Sequence, residues 1–156
     1  MIRIFPGDLL QISSNGKFYY ALVLDKIRLF GGQLVFAFYQ TSDQPLSVEQ
    51  VLANPFEGFF ETVDFIGAKR EKRLERISKN LSTADWNNRV IFFKQSFAIK
   101  EKAKEWWICD REHRKIKRTS ILNDEEKRYP LSHRIGDIRM VKLIEQRWSP
   151  EKDPRI

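Results

Sequence analysis

The sequence predicts a β-dominated α+β fold, a strongly bent antiparallel sheet or partly open barrel with a few short helices. Three observations point there. Aromatic and β-branched residues gather in short runs along the first 65 residues. The turns between the early runs are too short for parallel crossovers. The candidate helices are brief and punctuated by caps and prolines.

Residues 8–12 form a first short strand, ended by Ser13-Ser14-Asn15-Gly16. Asn15-Gly16 is a strong two-residue hairpin signal, because both central positions of a type I′ turn need positive φ. Residues 17–27 follow as a long aromatic-rich strand, buried on much of both faces. Gly31-Gly32 turns the chain again, and residues 33–40 make a third strand. Ser47 can cap a helix of barely two turns that Asn54-Pro55 stops. Residues 59–66 are strand-like again. The stretch 69–79 reads two ways: its helix formers suggest a helix, and its lysines and arginines would equally guard an exposed edge strand.

Residues 89–94 and 105–110 are short apolar segments separated by a loop at 100–104. Asn123-Asp124-Glu125-Glu126 can cap a short helix ending before Pro130. Residues 137–145 form a last element of open type. One globular domain is expected over residues 1–148, with a flexible, frayed C-terminal tail over 149–156.

The net charge of +7 is an average of two unlike parts. Residues 1–65 carry 4 basic and 7 acidic side chains, and the rest of the chain carries 24 and 14. Two runs dominate the basic part, at residues 69–76 and 111–118. Both are interrupted by acids, so neither is a pure polybasic tail. A functional basic face would need them to converge in the fold. No apolar run approaches the roughly 18 residues of a membrane span. The first eight residues do not read as a secretory signal, since Arg3 and Pro6 break their short apolar stretch. A cytoplasmic protein is expected.

Chemistry is sparse. No HExxH, CxxC, GxSxG, P-loop or GxGxxG pattern occurs, and no cofactor or metal is expected. His113 lies in a basic run and is read as solvated; His133 is unremarkable. Cys109 sits in Trp106-Trp107-Ile108-Cys109 and reads as a small buried hydrophobe rather than a nucleophile. Phe18, Tyr19, Tyr20, Phe36, Phe38 and Tyr39 could stack on bases, but they fall in the acidic part of the chain, which favours core packing. Adjacent tryptophans on one strand face opposite ways, so one of Trp106 and Trp107 should approach the surface. A surface tryptophan ringed by arginine would make a binding hot spot.

The order of segments resembles the immunity protein 26 family. Pro6-Gly7-Asp8-Leu9-Leu10-Gln11-Ile12, a turn with Gly16, and Tyr20-Ala21-Leu22-Val23-Leu24 are similar to the family's opening. Val90-Ile91-Phe92-Phe93-Lys94 and Trp106-Trp107-Ile108-Cys109-Asp110 resemble its aromatic-lysine segment and tryptophan strand. Ile121-Leu122-Asn123-Asp124-Glu125-Glu126 resembles the acidic helix start that follows. The likeness spans roughly residues 6–145. One family feature, a tryptophan after the central basic stretch, is missing from residues 74–77.

The resemblance implies a bacterial, non-enzymatic protein that binds and neutralises a cognate toxin through a protein–protein interface. The basic charge implies a toxin with an acidic surface. The expected interface is Trp106 or Trp107 with Arg111, Arg114, Lys115, Lys117 and Arg118, and then Lys69, Arg70, Lys72, Arg73 and Arg76. The rivals are a nucleic-acid-binding small β-barrel module and, last, an enzyme assembled from scattered acids.

Overall fold

The computed structural model describes residues 2–29 and 31–156. Strands β1 (Leu9–Ser14) and β2 (Lys17–Ile27) form an antiparallel hairpin in which Ser14 opposes Lys17. Asn15 and Gly16 turn it with φ of 51° and 75°, the double positive φ that this turn demands. Strand β3 (Gly32–Phe38) pairs with β2 and then with β4 (Gly58–Asp64), extending the meander. The register slips between Val23 and Asp25, and such a bulge bends its strand. Gly58 is required by close packing: a Cβ there would fall 2.1 Å from the Ala37 carbonyl oxygen.

The ambiguous stretch at 69–79 is helix and strand in turn. Helix α2 (Ile66–Arg70) buries only Ala68, so it has little to hold it beyond one turn. Lys72 takes φ 54° and redirects the chain into β5 (Leu74–Ser78). This strand pairs with β1 at the sheet edge. Leu74 packs into the core on one face and Ile77 into the core on the other, as the two-residue strand period requires.

With a last strand β9 (Ile135–Gly136), the resulting six-stranded sheet has the order β5-β1-β2-β3-β4-β9 and is not closed into a barrel. It is also not wholly antiparallel. Strand β9 runs parallel to β4, opposing Ile135 to Val63. A crossover through the second half of the chain delivers β9, and no local turn signal announces such a pairing.

Both faces of the large sheet are covered. Leu10, Ile12, Tyr19, Ala21, Val35, Phe59 and Val63 meet Met140, Leu143 and Ile144 of helix α5 (Asp137–Glu145). The Tyr19 hydroxyl donates to Glu145 on this helix. Burial, reinforced by that carboxylate, pushes the Tyr19 pKa up to about 12. On the opposite face, Leu9, Tyr20, Leu22, Phe36 and Phe38 meet Val51 of helix α1 (Val48–Leu52) and Trp86 of helix α3 (Ala84–Asn87). Phe93 and Cys109 of the second sheet complete this core. Ser47 caps α1 through a full capping box with Gln50.

The second sheet consists of β6 (Phe93–Gln95), β7 (Trp106–Cys109) and β8 (Lys115–Thr119), all antiparallel. Its far side packs Trp106 and Ile108 with Leu122 and Leu131, beside helix α4 (Asp124–Lys127). Asn123 caps α4, and the capping Glu126 also accepts from Lys117, which ties β8 to the helix.

Residues 149–156, expected as a frayed tail, are instead docked. A 3-10 turn at Pro150–Lys152 precedes Asp153, which is 6% exposed. Arg155 pairs with Asp153 at 2.7 Å and donates to the Ser96 and Ala98 carbonyls. Lys94 is wholly buried, and its Nζ donates to the carbonyls of Lys127 and Pro150. Burial, opposed by Asp153 and Glu151, lowers its pKa to about 8. The tail satisfies a buried cation, and that requirement holds it down.

Candidate partner-binding surface

The two basic runs each lead into an edge strand, of different sheets: residues 69–76 run from α2 into β5, and residues 111–118 run through a turn into β8. No hydrogen bond or ion pair among the described residues joins them. They differ in how much of their charge is already used.

In the second run nearly every cation meets a partner. Arg111 donates to the Val90 carbonyl and to Asn87 Oδ1, each at 2.9 Å, and lies 3.4 Å from Asp25. It braces the small sheet against the meander. Arg114 pairs with Asp110 at 2.7 Å and with Glu112. Lys117 pairs with Glu126 at 2.6 Å and Arg118 with Glu105 at 2.7 Å. Lys115 forms no ion pair among the described residues; its Nζ stands 4.8 Å from the Trp107 ring centroid and 5.1 Å from that of Phe97. Phe97 is 73% exposed. Arg118 also lies over Trp107. Cations over aromatic faces hold each other in place while both remain in reach of solvent.

The tryptophans split as strand alternation requires. Trp106 is buried against Ile108 and Leu122 and has no surface to offer a partner. Trp107 is half-buried and carries the two cations.

The first run divides. Arg73 reaches Asp137 at 2.7 Å, and Arg76 reaches Asp8 at 3.4 Å; both carboxylates are buried. These two arginines neutralise interior acids and fix β5 against α5 and the N-terminal turn. Lys69, Arg70 and Lys72 meet no carboxylate among the described residues. They line, with Ile2 and Leu74, an open groove of about 470 Å³. Lys72 stands at the positive-φ residue between α2 and β5, and Arg70 and Lys72 are exposed.

Two histidine readings need correction. His113 is not solvated: it is 9% exposed, stacks on Phe93 at 4.3 Å and bonds through Nδ1 to Ser132 Oγ at 2.7 Å. Burial pushes its pKa below the ordinary value, against the pull of Asp110. His133 is bonded through Nε2 to Glu61, a carboxylate at the centre of β4 and wholly buried. The two are 72 residues apart in sequence, and no motif connects them. Cys109 is buried, and burial raises its thiol pKa, which keeps it from acting as a thiolate.

Of the six aromatics that might have stacked on bases, four are core residues, and Phe18 and Tyr39 are half-buried against the core. Tyr19, Tyr20, Phe36 and Phe38 are all at most 3% exposed. Among the described residues, no group of three or more His, Cys, Asp or Glu side chains is placed to hold a metal ion. No helix among them is long and apolar enough to cross a membrane. No protein-family model, curated protein or solved structure matches the chain.

Proposed function

We propose that this chain is a non-enzymatic immunity protein, similar to the immunity protein 26 family, that binds and neutralises a bacterial toxin presenting an acidic surface. The observation that carries the reading is the groove of Lys69, Arg70 and Lys72. Three cations sit around an apolar floor, and among the described residues no acid pairs with them. Uncompensated charge of one sign steers an oppositely charged partner and fixes its register. The Trp107–Lys115–Phe97 ledge is a second anchor, since a half-buried tryptophan with flanking cations is rich in contact area at little ordering cost. Neutralisation is steric: the bound chain covers the toxin's working surface.

The nucleic-acid alternative is weaker on two counts. The sheet is open rather than a closed barrel, and the sheet aromatics are packed inside instead of forming a stacking platform.

The test is co-expression with the product of the adjacent gene. The wild-type chain should co-purify with that product and rescue growth. The variant K69E/R70E/K72E should fold normally and bind at least about 100-fold more weakly, roughly 2.7 kcal/mol. Binding should also weaken as salt rises. Wild-type chain that neither binds nor rescues sinks the reading. Retained affinity in the triple variant removes the groove from it. Tight, steeply salt-dependent binding to mixed oligonucleotides would instead favour the nucleic-acid alternative.

A further inference from the structure

A second concavity lies where α5, the residues before β9, and the C-terminal turn come together. Its volume is about 260 Å³, below the roughly 300–1,000 Å³ of pockets that take drug-sized molecules. Its walls are apolar, with Ile99, Leu131, Leu143 and Trp148. Its polar groups are Glu61, His133, Arg139 and the mutually paired Asp153 and Arg155.

Glu61 is the unusual member. It stands on β4 between Phe59 and Val63, on the face that α5 covers. One oxygen, Oε1, accepts from the Thr62 backbone N–H at 3.0 Å and from His133 Nε2 at 2.8 Å. The other, Oε2, is closed to solvent and has no partner. A buried carboxylate oxygen without a donor is expensive to keep. The His133 side chain is 39% exposed and lines the same cavity as Glu61; a ligand reaches Oε2 only if the carboxylate or this ring turns aside. Arg139 lies one helical turn from Leu143 on α5, is exposed and meets no acid among the described residues.

We infer that this pocket binds a small zwitterion, a free α-amino acid with an apolar side chain. Its ammonium donates to Glu61 Oε2, its carboxylate pairs with Arg139, and its side chain packs on Leu143 and Trp148. Each group answers a feature already present: an idle acceptor, an unpaired cation and an apolar wall. The inference does not depend on the toxin reading, and neither fails with the other.

The experiment is an NMR titration of the full chain, labelled with ¹⁵N, against L-leucine and L-phenylalanine. N-acetyl-L-leucine, which lacks the ammonium, and L-leucinamide, which lacks the carboxylate, serve as controls. Free amino acid should produce saturable shifts at His133, Leu143 and Trp148, with a Kd of about 1 mM or tighter. Each blocked form should bind at least ten-fold more weakly. R139A changes an exposed residue and leaves the core intact, and it should weaken L-leucine binding at least ten-fold. E61Q should remove the preference for L-leucine over its N-acetyl form; if E61Q does not fold, R139A and the blocked ligands decide. Absence of saturation by about 10 mM, equal binding of free and blocked forms, or undiminished binding by R139A overturns the inference.

Discussion

Residues 69–76 and 111–118 are both basic runs broken by acids, and they use their charge differently. In the later run, Arg111 reaches across to Asn87 and Val90, while Arg114, Lys117 and Arg118 each meet a carboxylate. The earlier run is split at its turn. Arg73 and Arg76, on the strand side, reach the buried acids Asp137 and Asp8, while Lys69, Arg70 and Lys72 meet no acid among the described residues. The lesson is that a count of cations measures charge, whereas the field at a surface depends on which cations the fold has already paired. By that measure the earlier run offers the stronger attraction to an acidic partner, and the later run offers an aromatic ledge.

Four measurements can break or sharpen this contrast. The largest effect belongs to Lys94, a cation outside both runs that is turned fully inward. Its folded pKa of about 8 lies below the ordinary 10.5. Below pH 8 both states hold the proton. Between pH 8 and 10.5 only the unfolded chain holds it, so folded stability should rise with pH through that window, by up to about 3 kcal/mol relative to K94M. The neutral amine keeps two N–H donors for its two carbonyl partners, so those bonds survive deprotonation. Chemical denaturation at pH 7.5 and 10 checks the sign, and a flat difference would refute the assignment.

Next comes Arg73→Ala, which leaves the buried Asp137 carboxylate without its main cation. It should cost about 2 kcal/mol in thermal or urea unfolding. Arg111→Ala should cost about 1 kcal/mol by releasing two charge-assisted bonds that are partly solvated. The smallest effects should come from Lys69→Ala, Arg70→Ala and Lys72→Ala, each within about 0.5 kcal/mol of wild type. Destabilisation by these three comparable to that of Arg73→Ala would show that the groove is structural and would erase the distinction.

Much of the fold was legible in the sequence where the signal is local. Asn15-Gly16 announced its hairpin, Ser47 and Asn123 announced their helices, and the aromatic density of residues 17–27 announced a strand buried on both faces. Strand β8 was not legible. Its four leading residues are exposed, so Lys-Ile-Lys-Arg-Thr shows none of the apolar alternation that marks a half-buried strand. The opposite facing of Trp106 and Trp107 followed from strand period, but which one faced out depended on where Leu122 and Leu131 would pack. The pairs Arg73–Asp137 and Glu61–His133 join residues 64 and 72 positions apart. Partners that distant are set by strand order, and the strand order turns on the parallel β9, which carries no composition signal of its own. The docking of the tail was hidden for a related reason: Ser149-Pro150 reads as a terminator, and the group that needs it, Lys94, lies 56 residues earlier.

That last contact also imposes an order on synthesis. Phe93, Lys94 and Gln95 leave the ribosome long before Pro150 does. Until Pro150 arrives, the Lys94 ammonium lacks one of its two acceptors, and burying it in the small sheet is unfavourable. The β1–β4 meander needs no such cation: its buried acid, Glu61, already accepts from the neighbouring Thr62 N–H before His133 is made, so its strands can pair while the chain is still growing. The molecule is therefore expected to mature from its amino-terminal sheet outward, with the second sheet closing only after residue 150 has emerged; hydrogen exchange on arrested chains ending before and after that residue would read the difference directly.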